Sequence, residues 1–267
     1  MNISDRSNAA QLITALDKTG AKAPSAVVES YATTIRVSDA VRAIGVRPEA
    51  VYPAIAAALT RGDDPTADPE VQRILTSGQI GNGGVIAGVD GIAFSRFREV
   101  VTEHSDDIVT AFRKPFDRAV TTLTTAHQVL GDVPLEDSGS ILRIGGDAPA
   151  QWAKATAAVQ TIKNSALGWA ALAAFTGISS DAIHHQVLRI SAPSYEQWMS
   201  QELEGKKADP WAAILEGLDL ALPTFTQYRE RVDTITQGAQ QEAADLADAG
   251  HRYATGRRAL TGGVPSP

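Results

Sequence analysis

Apolar residues recur along this chain in steps of three and four, the period of an amphipathic helix. The longest run begins at Phe97 and continues through Val101, Ile108, Phe112, Phe116, Ala119, Leu123, Ala126 and Leu130. His104 fills its one gap. Pro115 has no amide hydrogen and crowds the preceding turn, so it should kink or divide this helix. A second seam, Trp152, Ala155, Val159, Ile162, Ala166, Trp169 and Ala173, alternates strictly by three and four. A third, Phe225, Tyr228, Val232, Ile235, Ala239, Leu246, Ala249 and Tyr253, is broken only by Glu242. Such seams predict coiled-coil-like helices packed at shallow angles. A helix from Phe225 to about Leu260 would be on the order of 50 Å long. That is long for a compact globule of this size, so an elongated bundle is expected over residues 95–260.

The first 76 residues read as a small domain of short helices. Asn8 to Thr19 carries Leu12, Ile13 and Leu16 and stops at Gly20. Pro24 opens a second helix whose buried stripe is expected at Val27, Val28, Tyr31, Ile35 and Val37. Ser38 is expected to cap a third short helix through Ile44, with Gly45 ending it. Pro48 starts a fourth, through Leu59, with Pro53 inside it. Residues 61–69 (RGDDPTADP) form a turn-rich linker, and Asp68-Pro69 opens a helix to Thr76. Residues 77–91 (SGQIGNGGVIAGVDG) contain six glycines. They read as a loop, or as a place of close backbone approach, and residues 77–94 are taken as a hinge between two sections. Turn formers over 131–149 flank a short apolar segment at Ile141–Ile144. Gly177 ends the second long helix, Ser180 or Asp181 caps a short one, and Pro193 and Pro210 each precede another. Residues 261–267 are a tail expected to be flexible. The fold class expected is all-α.

Composition changes this picture little. The 267 residues are 43% hydrophobic and 21% charged, the profile of a folded chain, and aromatics are only 6%. The formal net charge is −7, which argues against broad binding to nucleic acid or anionic lipid. Cysteine is absent, which excludes structural disulfides, thiolate catalysis and cysteine-ligated metals. Residues 1–11 show no signal pattern, and no run of about 18 apolar residues exists, so neither export nor a membrane span is expected. The location expected is the cytoplasm of the producing cell.

Candidate chemistry is sparse. Residues 37–59 (VSDAVRAIGVRPEAVYPAIAAAL) have the length of a helix-turn-helix, with Val41, Ile44 and Val46 around the turn and Val51 and Ile55 anchoring the second helix. That second helix offers bases only Arg47, Glu49 and Tyr52 before its alanines, and Pro53 interrupts it. The glycine stretch lacks the Lys-Ser/Thr of a phosphate loop, because Val89-Asp90 follows Gly88. Glu103, His104 and Asp107 are metal-ligand types one helical turn apart, as are Asp181 with His184 or His185. Without a second cluster, none is assigned as a ligand. His104, His127 and Glu242 are the polar exceptions on the seams, and a bundle enzyme would need them to converge. Trp152, Trp169, Trp198 and Trp211 read as core and interface anchors. His251, Arg252, Arg257 and Arg258 suit the negative end of a helix dipole or a patch that docks an acidic partner. Accordingly, no residue is assigned as catalytic, cofactor-binding or metal-binding, and no cofactor is expected.

Three stretches, LITALDKTGAKAPSAVVES (12–30), DPTADPEVQRILTSGQ (64–79) and IVTAFRKPFDRAVTTLTTAHQVLGDVPLED (108–137), resemble structural and assembly-module proteins of actinobacterial phages and prophages. They extend over about half of the chain, from residue 12 to residue 137, and contain no catalytic motif. The resemblance implies a non-enzymatic scaffold, connector or minor virion component. Its partners would be further copies of itself and other virion proteins, and its location would include the virion. Two alternatives stand beside it: a helical binding or regulatory module built on the 37–59 corner, and an enzyme with a polar site inside the bundle.

Overall fold

In the computed structural model, which describes residues 3–44, 50–80, 83–178, 186–203 and 209–261, all three seams are helical. Among the described residues there are eleven α-helices and no strand, only an isolated bridge between Ser191 and Leu220. The helices are α1 (Ile3–Thr19), α2 (Ser25–Ile44), α3 (Val51–Arg61), α4 (Pro69–Ile80), α5 (Gly83–Glu103), α6 (Ser105–Leu130), α7 (Ser138–Ile144), α8 (Ala148–Phe175), α9 (Tyr195–Leu203), α10 (Pro210–Leu215) and α11 (Phe225–Thr261). The chain is all-α, as its periodicity predicts.

Local chemistry sets the ends. The Asp68 carboxylate accepts the amides of Glu70 (2.9 Å) and Val71 (3.1 Å) at the start of α4, and Pro69 occupies the first helical position, where no amide is needed. Asp137 and Asp209 cap α7 and α10 in the same way. Pro53 is tolerated because it stands in the first turn of α3. Gly177, with φ 73°, follows α8 in a left-handed conformation that a side chain would resist.

Three expectations are corrected. The second and third short helices are one: α2 runs unbroken from Ser25 to Ile44, and Ser38 lies fully buried within it rather than capping a helix. The glycine-rich stretch is helical from Gly83 onward rather than a loop, because α5 begins there. Glycine costs a helix about 1 kcal/mol per residue, and packing of α5 on α2 outweighs that. The long seam is interrupted at His104 and not at Pro115, which α6 passes through. Even at His104 the ladder persists, since its amide reaches Val100 O (3.1 Å) and its carbonyl takes the Ile108 amide (3.0 Å).

The chain divides into two compact units. The first is residues 1–112 with 167–178, and the second is 113–166 with 179–267. The division falls inside α6, just before Pro115, and inside α8.

In the first unit the buried side chains include Leu12 and Leu16 of α1, Phe94, Phe97 and Val101 of α5, Ile108 and Phe112 of α6, and Trp169 and Leu172 of α8. Phe97 stands among rings, with Tyr31 and Phe175 each 5.6 Å away between centroids, the latter edge-on. Gly168 of α8 lies so close to Phe112 and Ala15 that a β-carbon there would overlap both.

The second unit buries Phe116, Leu123 and Leu130 of α6, Ile162 of α8, Trp211 of α10, and Tyr228 and Ile235 of α11. Two indole N–H groups fasten the connector after α6: Trp152 donates to Leu135 O (2.9 Å) and Trp211 to Val133 O (3.0 Å). Arg231 of α11 donates to the carbonyls of Leu188 (2.7 Å) and Ala221 (3.2 Å), joining the two segments that meet at the isolated bridge. Burial lowers its guanidinium pKa to about 10. Arg113 holds Leu222 O beside it (3.1 Å).

Candidate interaction surfaces

Two features stand out against this frame, one in each unit. The first is the face where α2 meets α5. The buried positions of α2 are Val27, Thr34, Ser38 and Val41, spaced at helical intervals with half-buried Tyr31 between. Two of the four are hydroxyl residues. Thr34 Oγ1 donates to Ala93 O (3.3 Å). Asp90 is wholly buried, and one of its oxygens takes the Arg42 guanidinium at 2.5 Å. Its other oxygen, Oδ1, and Ser38 Oγ have no hydrogen-bond partner among the described residues. The apolar residues expected on this stripe partly face outward instead, with Val28 51% and Val37 37% exposed.

Beside the polar stripe the two helices leave a groove of about 460 Å³. Ser30, Thr33 and Thr34 line it with hydroxyls, Glu29 and Arg96 with opposite charges, and Val37 and Ile92 with apolar surface. Its chemistry suits an amphipathic molecule with hydrogen-bonding groups. Sequence reading missed this site because its polar wall comes from threonines and serines, which a search for apolar periodicity passes over.

The second feature is α11. Burial follows its seam through Tyr228 (2% exposed) and Ile235 (3%) and reaches Gly238, which is half-buried. From Ala239 to Ala247 every residue is exposed, and Leu246 leaves 68% of its surface in solvent. Yet the helix itself continues to Thr261. The packed part ends under α9, where the Tyr195 ring lies on Gly238 closely enough to exclude a β-carbon. One turn on, the Tyr195 hydroxyl donates to Glu242 (2.6 Å), and that bond raises the phenol pKa.

The residues singled out from the sequence find local partners. His104 pairs with Asp107 at 3.4 Å, His127 with Asp132 at 3.2 Å beside the Trp211 ring, and Glu242 with Tyr195. Three different partners give them three different settings. No group of three or more His, Asp or Glu side chains gathers in metal-holding geometry among the described residues. Asp181, His184 and His185 lie outside the described residues, as do Gly45 to Glu49 of the expected helix-turn-helix corner. Of that corner, Val41 is buried, Val51 and Ile55 are half-buried, and Tyr52 is 72% exposed. Trp169 and Trp211 are buried and Trp152 and Trp198 half-buried. Among the described residues no helix is long and apolar enough to cross a membrane. The chain matches no family model, no curated protein and no solved structure.

Proposed function

We propose that this chain is a non-enzymatic assembly protein that associates with further copies of itself through α11, within a phage-like particle. One observation carries the association: the α11 seam is buried at Tyr228 and Ile235, and from Ala239 to Ala247 the same helix is exposed at every position. An amphipathic helix gains most of its stability from packing its apolar face. A helix exposed at every position from Ala239 to Ala247 is therefore short of a partner. The particle context rests on the resemblance of residues 12–30, 64–79 and 108–137 to phage structural modules. Docking on a second virion protein would use the basic residues at the carboxy end of the same helix.

Light scattering of the purified chain across a concentration series tests this. The expected result is a mass above one copy that rises with concentration and falls back in Leu246→Glu. Leu246 is 68% exposed, so folding should persist. A concentration-independent single copy overturns the reading.

A second reading, as a binding module, is favoured by the α2–α5 groove. Its mixed lining would take a small amphipathic ligand. A saturable rise in melting temperature with such a ligand, abolished by Thr33→Trp, would support that function.

A further inference from the structure

We infer that the groove between α2 and α5 binds a small zwitterion with one apolar tail, its two charges at the Arg96 end and its tail at the Val37 end. The inference rests on the reading of that groove as a binding site and adds the chemical class and orientation of the ligand.

The direction comes from how the helices run. Tyr31 lies against Phe97, Thr34 bonds to Ala93 O, and Arg42 reaches Asp90, so residue numbers fall along α5 as they rise along α2. The two helices are antiparallel, and this register orders the walls of the groove. Glu29 and Ser30 stand near the level of Arg96, and Val37 stands near the level of Val89. From Glu29 to Val37 the wall rises by about 12 Å.

Polarity is graded along that length. One end carries a carboxylate and a guanidinium, Glu29 and Arg96, both exposed. Neither is in an ion pair among the described residues. Toward the other end the lining is Ile92, Val89 and Val37, with Ile92 62% exposed. A molecule complementary to both ends has two opposite charges on its head and an apolar tail.

The floor between them selects the same head. Thr34 is buried, and its hydroxyl hydrogen is given to Ala93 O, so its oxygen is left to accept. An acceptor on the floor and a carboxylate on the wall both favour an ammonium. Arg96 favours the acidic oxygens, because its planar fork fits two oxygens of one carboxylate or phosphate. An anion alone is repelled by Glu29 and a cation alone by Arg96, so the pair of charges rejects either.

Isothermal titration calorimetry on the full-length chain tests this. The probes are 2-aminooctanoic acid and hexylphosphocholine, which carry the same two charges on an amino acid and on a phosphodiester. Octanoic acid and octylamine carry one charge each, and alanine lacks the tail. The expected result is saturable binding of a zwitterion, about tenfold tighter than octanoic acid, octylamine or alanine. Whichever zwitterion binds more tightly identifies the source of the head. Glu29→Gln should weaken the zwitterion about tenfold and not weaken octanoic acid, and Arg96→Gln should weaken the zwitterion and not weaken octylamine. A merely structural role for either residue would weaken every probe together. Zwitterion binding unchanged in both variants overturns the inference. Equal binding of zwitterion and singly charged probes, abolished by Thr33→Trp, overturns it while the binding-site reading stands. No binding of any probe up to about 10 mM overturns both.

Discussion

The ring of Tyr195 lies against the α-carbon of Gly238, with its own β-carbon 2.6 Å from where a side chain at that position would begin. The contact joins α9 to α11 at the point where α11 ceases to be packed. Gly238→Ala should push the ring away and destabilise the fold by about 1–3 kcal/mol, although alanine is the better helix former. Chemical denaturation measures the loss. Tyr195→Ala in the same chain should remove most of the penalty, because the clash then has no second member.

Glycines within helices divide by the space around them. Gly168 meets Phe112 and Ala15, so Gly168→Ala should cost about 1–3 kcal/mol through overpacking. A β-carbon at Gly88 in α5 would meet nothing within 4 Å. Gly88→Ala should therefore stabilise by about 0.5–1 kcal/mol through helix propensity alone. Melting temperatures shifting in the same direction for both would contradict this packing.

The Arg42–Asp90 pair has one fully buried member. Removing only its partner, in Arg42→Ala, leaves Asp90 without its cation and should cost about 3 kcal/mol. Arg42→Met with Asp90→Leu replaces both by apolar groups and should recover most of that. Ser38→Ala deletes a buried hydroxyl that bonds to nothing among the described residues, and it should be neutral or stabilising by up to about 1 kcal/mol. Urea unfolding of the four chains separates these effects.

Acid should loosen the first unit through Asp68. The Val71 amide, with help from the Glu70 amide and Arg61, holds its carboxyl below the usual range. A carboxylate with a lowered folded pKa stabilises the fold above the unfolded value of about 3.9 and loses that contribution as pH falls through the folded value. Asp68→Asn can cap without charge. The difference in melting temperature between wild type and this variant should be constant near neutral pH and shrink below about pH 4. A difference independent of pH would show that the charge contributes nothing.

Much of this was legible in the chain. The seam from Phe97 to Leu130 contains nine apolar or small positions, and all nine are buried. Asp68-Pro69, Gly177 and Pro210 mark helix ends where they were expected. The polar stripe of α2 was not legible. Thr34 and Ser38 sit inward while Val28 and Val37 face outward, and nothing local to α2 distinguishes those faces. What selects the inward face is α5, which offers the Ala93 carbonyl to Thr34, 59 residues away, and Asp90 to Arg42, 48 residues away.

The same division holds for the candidate surface. Helical identity and seam spacing along α11 are properties of neighbours in the chain, set by backbone stereochemistry and a 3.6-residue period, so the sequence by itself determines them. The periodicity ran evenly to Tyr253 and offered no sign that burial would stop at Gly238. Burial depends on what another segment brings to each turn, and Tyr195 of α9 meets α11 at Gly238 and Glu242. The tertiary structure alone decided which part of that seam the chain covers for itself, because covering a surface requires groups distant in sequence to arrive at it.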